Sequence, residues 1–130
     1  MATPGAQRGA PGASVHDVSF ELWERAVTHR VYFLNKLHEG VDPAAYEEWI
    51  RTSDYPVARA NPAIVSYDVT RIESTLDGAA KPSVDYLEVL EVTSLEEYQR
   101  AIATPEVEKL LGEWSTFVAS AEVVHGPVVE

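Results

Sequence analysis

The clearest hydrophobic pattern in the chain lies near its end. Val107, Leu110, Leu111, Trp114, Phe117 and Val118 recur at helical spacing behind Thr104-Pro105. Threonine as N-cap and proline at the first helical position open such a helix, and the apolar stripe predicts that one face is buried. Just upstream, Ser94-Leu95-Glu96-Glu97 has the form of a capping box and predicts a helix through Ala103. Elsewhere alternation replaces helical spacing. VYFLNKL (31–37), IVSYDVTRI (64–72) and DYLEVLEV (85–92) are β-branched and aromatic runs of strand length, and Ala121 to His125 makes a last strand before Gly126-Pro127. Asp42-Pro43 caps a further helix with Tyr46, Trp49, Ile50 and Ser53 on one side, which Pro56 is expected to stop or kink. Asn61-Pro62 marks a turn, and the polar segment 73–83 with Asp77-Gly78 marks a hairpin loop.

The order β-α-β-β-α(α)-β predicts an α+β fold of ferredoxin-like arrangement over residues 29–130, with helices on one face of an antiparallel sheet. Residues 1–14 are Gly, Pro and Ala with little to bury and are expected to form a disordered tail. Residues 15–28 form an N-terminal extension, read as a short helix capped by Asp17, although alternation around Phe20 and Leu22 also fits a strand. Val65, Tyr67 and Val69 alternate with shorter polar residues and are assigned to the second sheet face. A chain this short has no second helical layer, so face-to-face packing of two sheets in a homodimer is the expected cover.

Composition narrows the possible chemistry. The 130 residues are 45% hydrophobic, enough for one core, and ten Lys+Arg against 21 Asp+Glu leave a net charge of −11. That balance argues against nucleic acid and anionic membrane surfaces as partners. There is no cysteine, which removes disulfides, thiol nucleophiles and Cys-based metal sites. No apolar run approaches the roughly 20 residues of a membrane span, and no secretory signal is visible, so a cytoplasmic location is expected. No glycine-rich nucleotide loop, G-x-S-x-G or paired-histidine metal spacing occurs, so neither cofactor nor metal is expected.

With these elements placed, HEGVDPAAYEEWIRTSDYPVARANPAIVSYDV (38–69) and DYLEVLEVTSLEEYQRAIATPEVEKLL (85–111) resemble the RedY/HapK-like family, a branch of the dimeric α/β-barrel superfamily. The likeness is carried by Gly40-Val41-Asp42, Tyr46, Trp49, Asp54, Pro56, Pro62, Tyr86-Leu87-Glu88-Val89 and Ala103-Thr104-Pro105. It covers most of residues 30–125. The resemblance implies a homodimer and a cofactor-independent protein acting on reactive aromatic intermediates of prodiginine and bisindole alkaloid biosynthesis.

Several residues are of types that could carry chemistry in a pocket between helices and sheet. Strand pleating puts Glu88 on one face with Tyr86, Leu90 and Val92, where partial desolvation would suit a general acid or base; a structural ion pair with Arg71 or Lys36 is the alternative. Asn35 interrupts the apolar face of Val31, Phe33 and Leu37, either to orient a substrate or to fix strand register. His29 and His38 bracket the first strand and His125 closes the last; imidazole titrates near neutrality, so His38 first, then His125 or His29, are proton-transfer candidates, or else solvated loop residues. Asp54 at the helix end could be a base and Tyr55 a donor to an oxyanion, or the two could serve the turn and the core. The match of Asp54 to the family favours a role for it. Tyr46, Trp49 and Trp114 are core, or the walls for a flat ring. Tyr86 could help to orient a ligand, and Arg51 and Arg59 are surface ion pairs or a carboxylate clamp. Two functions remain open: an acid/base enzyme steering cyclisation, dehydration or hydrolysis, and a non-catalytic protein that holds an unstable intermediate.

Overall fold

The computed structural model describes residues 27–130. The tail and the extension as far as residue 26 lie outside the described residues. Four strands, β1 (His29–Leu37), β2 (Ile64–Arg71), β3 (Tyr86–Val92) and β4 (Val118–Pro127), form one sheet in the order β2-β3-β1-β4, antiparallel throughout. Between β1 and β2 run α1 (Pro43–Trp49), a π-helical turn (Ile50–Asp54) and α2 (Tyr55–Arg59). Between β3 and β4 run α3 (Leu95–Ile102) and α4 (Pro105–Phe117). The expected ferredoxin-like α+β arrangement is the one observed.

Local chemistry sets the boundaries. The chain turns out of β1 through Gly40 at φ +85°, a conformation that disfavours any residue with a Cβ. Asp42 then accepts from the Ala44 N–H at 3.0 Å and caps α1. Ser94 accepts from the Glu97 N–H at 3.1 Å and Thr104 from the Val107 N–H at 3.3 Å, as the capping patterns require. Pro56 neither stops nor breaks the helical path. A proline ring normally clashes with the carbonyl four residues back. Here the preceding turn is widened to π geometry, with the Tyr55 N–H donating to the Ile50 carbonyl, and Pro56 falls in the first turn of the segment that follows. The last strand is longer than Ala121–His125 because β4 pairs with β1 along its whole length, from His29↔Pro127 to Leu37↔Val118.

The second sheet strand requires a correction. Tyr67 and Val69 face the helices, Tyr67 opposite Leu90 and Val69 opposite Glu88. A register shift between Ile64 and Ser66 breaks the alternation and leaves Val65 exposed. The outer face instead carries Tyr32, Leu34, Leu87, Val89 and Val124, brought side by side by the register of β3, β1 and β4. The core has two clusters on the helical face. One is built around Val31, Ala58, Tyr67, Leu90, Val92 and Tyr98, the other around Tyr46, Ile50, Tyr86 and Val118.

Candidate active site

A cavity of about 450 Å³ opens between the sheet and the helices. Its apolar wall comes from β1, β3, α3 and α4, and includes Phe33, Leu90, Tyr98, Leu110 and Trp114. The apolar stripe of α4 is therefore spent on a cavity as much as on the sheet, and Leu111 stays 40% exposed. Two carboxyls and a phenol that meet one another interrupt this surface: Asp54 from the π-helical turn, Tyr67 from β2 and Glu88 from β3. All three are buried.

These three groups form a line. The Tyr67 hydroxyl lies 2.5 Å from Asp54 Oδ2 and 2.9 Å from Glu88 Oε1. The other oxygen of Glu88, Oε2, accepts from the side-chain amide of Asn35 and from the Trp114 indole N–H at 3.2 Å. No cation pairs with Glu88 among the described residues; Arg71 is taken up by Glu47 at 2.6 Å and Glu73 at 3.4 Å. Burial pushes the Glu88 carboxyl up to about 7, with the Asp54 charge adding to the rise and the Asn35, Tyr67 and Trp114 hydrogen bonds opposing it. Burial likewise pushes Asp54 up to about 6, against the Tyr67 hydrogen bond and the charge of Arg59. Desolvation first, and the two carboxylates second, hold the Tyr67 phenol far above its ordinary value, so it stays neutral.

Proton counting gives this line its chemistry. A phenol has one hydrogen, yet Tyr67 Oη has two carboxyl oxygens at hydrogen-bond distance. Both contacts hold a hydrogen only if one carboxyl is protonated. The arrangement is thus a carboxyl–phenol–carboxyl chain that retains one proton near neutral pH, and the two acids titrate as a coupled pair. Asp54 lines the cavity, and its Oδ1 takes no hydrogen bond among the described residues, which leaves that oxygen for a ligand.

The remaining sequence candidates divide by place. Trp49 and His125 line the cavity with Asp54, Glu88 and Trp114. Trp49 is held by stacking on Tyr46 at 6.1 Å and by donating to Glu113 Oε1 at 2.9 Å. Trp114 meets Phe33 edge to face. His29 reaches His125 across the β1–β4 pair, with ring nitrogens 3.0 Å apart. Asn35 and Tyr46 are fully buried behind Glu88 rather than on the cavity surface.

Others lie elsewhere. His38 is exposed, donates from Nε2 to the Ser115 carbonyl at 3.0 Å, and borders a separate depression beside Lys36 and Arg71. It is not brought to the cavity because β1 ends there and the chain turns away at Gly40. Tyr86 directs its hydroxyl to Glu47 Oε2 at 2.7 Å, away from Asp54 and Glu88. Tyr55 accepts from the Val69 N–H at 2.9 Å under the Arg59 guanidinium, a packing role. Arg51 pairs with Glu48, and Arg59 with Asp68 and the Tyr67 carbonyl. Sequence reasoning missed the cavity rings of Phe33 and Tyr98 and, most consequentially, Tyr67. Its signal was present, since it stands two residues before Val69, but it was assigned to the wrong sheet face. Among the described residues, no group of three or more His, Asp or Glu side chains is placed to hold a metal, and no helix is long and apolar enough to cross a membrane.

Residues 29–129 match the family described as REDY-like protein HapK. The chain belongs to this family. Among solved structures it is similar to HapK from Hahella chejuensis, at 20% identity and a TM-score of 0.66, covering 78% of this chain and 92% of that one. It is also similar to a dimeric ferredoxin-like protein of unknown function from Thermobifida fusca, at 18% identity and a TM-score of 0.61, covering 78% and 92%. A third likeness is to hydroxynitrile lyase from Passiflora edulis, at 8% identity and a TM-score of 0.66, covering 82% and 96%. At these identities the likenesses carry the fold. No curated protein matches the chain.

Proposed function

We propose that this REDY-like protein is a cofactor-independent acid/base enzyme that steers a reactive aromatic intermediate of bisindole or prodiginine-type alkaloid biosynthesis. The observation that carries the reading is the Asp54–Tyr67–Glu88 chain set into an otherwise apolar cavity of about 450 Å³. That volume suits a flat polycyclic ligand, and the rings of Phe33, Trp49, Tyr98 and Trp114 offer faces and edges for it. Ionised Asp54 takes a proton from a ligand carbon or nitrogen at Oδ1. As Oδ1 gives that proton to a departing hydroxyl or a ring carbon, the phenol hydrogen moves to Asp54 Oδ2 and the Glu88 proton moves from Oε1 to Tyr67. Asp54 is then neutral and Glu88 ionised until the reverse shift resets the line. Family membership and the resemblance stated from the sequence support the substrate class.

The test adds purified protein to the upstream enzymes that generate the intermediate, and compares products with and without it. A new or strongly enriched product is expected. An unchanged profile with a longer-lived intermediate would show a holding protein instead.

The protein is further proposed to be a homodimer. Tyr32, Leu34, Leu87, Val89 and Val124 make an apolar patch on the sheet face away from the helices, which a second copy would cover, and the Thermobifida neighbour is described as dimeric. Light scattering should give twice the 14.3 kDa chain mass. A single-chain mass across micromolar concentrations would contradict it.

A further inference from the structure

We infer that Asn35 and Trp114 are positioning residues: their N–H groups occupy Oε2 of Glu88 and confine its proton to the line Glu88 Oε1–Tyr67 Oη–Asp54 Oδ2. The inference rests on the acid/base reading for its purpose and on geometry for its content.

Glu88 has two oxygens in different company. Trp114 Nε1 lies 3.2 Å from Oε2, and an indole nitrogen can only donate. The Asn35 amide approaches the same oxygen through Nδ2. Oε2 therefore receives two hydrogens and has no acceptor to which a proton of its own could be given. Oε1 faces a single group, the Tyr67 hydroxyl. A proton on Oε2 would leave one of the two Tyr67 contacts, at 2.5 or 2.9 Å, as a pair of oxygen lone pairs with no hydrogen between them. A proton on Oε1 satisfies both: Glu88 donates to Tyr67, and Tyr67 donates to Asp54. The chain then has a direction, running from the deepest carboxyl to the one with a free oxygen at the cavity.

The cost of this arrangement is visible on the far side of Asn35. Its Oδ1 is buried without a partner, as is the hydroxyl of neighbouring Tyr46. Turning the amide over would present Oδ1 to Glu88, and two acceptors would meet unless the proton sat on Oε2. The orientation of Asn35 and the site of the proton are thus one question, and it has a measurable sign. An N–H donor to Oε2 favours the ionised form of Glu88. An amide oxygen accepting from Oε2 would favour the neutral form.

The experiment follows the Glu88 carboxyl ¹³C resonance against pH in the uniformly labelled full chain, for wild type, Asn35→Leu, Trp114→Phe and the double variant. No substrate is needed. Each single variant should move the Glu88 midpoint upward by about one pH unit, and the double variant further. If Trp114 only filled space, Trp114→Phe would act the other way, because the smaller ring admits water to the carboxylate and lowers the midpoint. Leucine branches as asparagine does, so a space-filling Asn35 would leave the midpoint unmoved. A fall in Asn35→Leu would place the proton on Oε2, and unmoved midpoints in both would deny any positioning; either result overturns the inference. Should Asn35→Leu fail to fold, Trp114→Phe keeps the edge contact with Phe33 and carries the test alone. Unaltered products in the coupled assay would bear on catalysis and not on this titration, so the two claims can fail separately.

Discussion

Glu88→Gln is expected to be more stable than wild type at pH 8, by about 3 kcal/mol, and equal to it near pH 4. The carboxyl of Glu88 is raised by burial to about 7 in the folded chain. A group raised on folding binds a proton that the unfolded chain has already released, so its contribution is fully present below the ordinary carboxylate value. It is lost progressively as pH rises to about 7, and no more is lost above that. Glutamine has the shape of the protonated acid. Its carbonyl can accept from Asn35 and Trp114 where Oε2 stood, and its amide can donate to Tyr67. The loss with rising pH should therefore be removed while the hydrogen bonds remain.

At the acid end Glu47 acts in the opposite sense. Its carboxyl is held down to about 2, first by its hydrogen bond from Arg71 and next by that from Tyr86. Its contribution is present above the ordinary value and is lost as pH falls towards 2, in the variant as in wild type. Asp54, also raised by burial, adds to the loss with rising pH, so wild type should be most stable at about pH 4. Urea unfolding at pH 4, 5, 6, 7 and 8 reads the whole curve. A wild-type protein more stable at pH 8 than at pH 5 would show that Glu88 is not buried as described.

Asp54→Asn should lower the rate of product formation about 10²- to 10⁴-fold, the ordinary contribution of a positioned acid or base. The substitution is nearly isosteric, and the asparagine carbonyl can still accept from Tyr67. What disappears is a basic oxygen at the cavity and a terminus for the proton line. Binding of the aromatic intermediate rests on Phe33, Trp49, Tyr98 and Trp114 and should be little altered. The expected pattern is a loss in kcat with KM nearly unchanged, since an interaction made only during proton transfer has been removed.

Much of this architecture could be read from the chain. The caps at Asp42, Ser94 and Thr104 are local signals, each needing only a side-chain oxygen and the N–H groups of the next turn. The alternation Tyr86, Glu88, Leu90, Val92 placed a carboxylate on an apolar face, and all four are buried. What could not be read depends on contacts made across the fold. Pro56 was a breaker by local rules, but a π-helical turn absorbs it and thereby turns Asp54 into the cavity. Tyr67 lay in a strand whose first residues bulge, so simple alternation assigned its face wrongly. The histidines show the same limit. His29 and His125 meet because β1 pairs with β4, whereas His38, equally close to a strand end in sequence, is carried to another surface.

The Asp54–Tyr67–Glu88 chain is proposed to perform proton transfer on a ligand in this cavity. The most direct measurement takes wild type and Asp54→Asn through two readouts on the same samples. Ligand binding is followed by quenching of the cavity tryptophans, and product formation is followed by rate. Binding within a few-fold of wild type and a rate lower by at least about 100-fold are expected. Equal binding with an equal rate of the same product would contradict it.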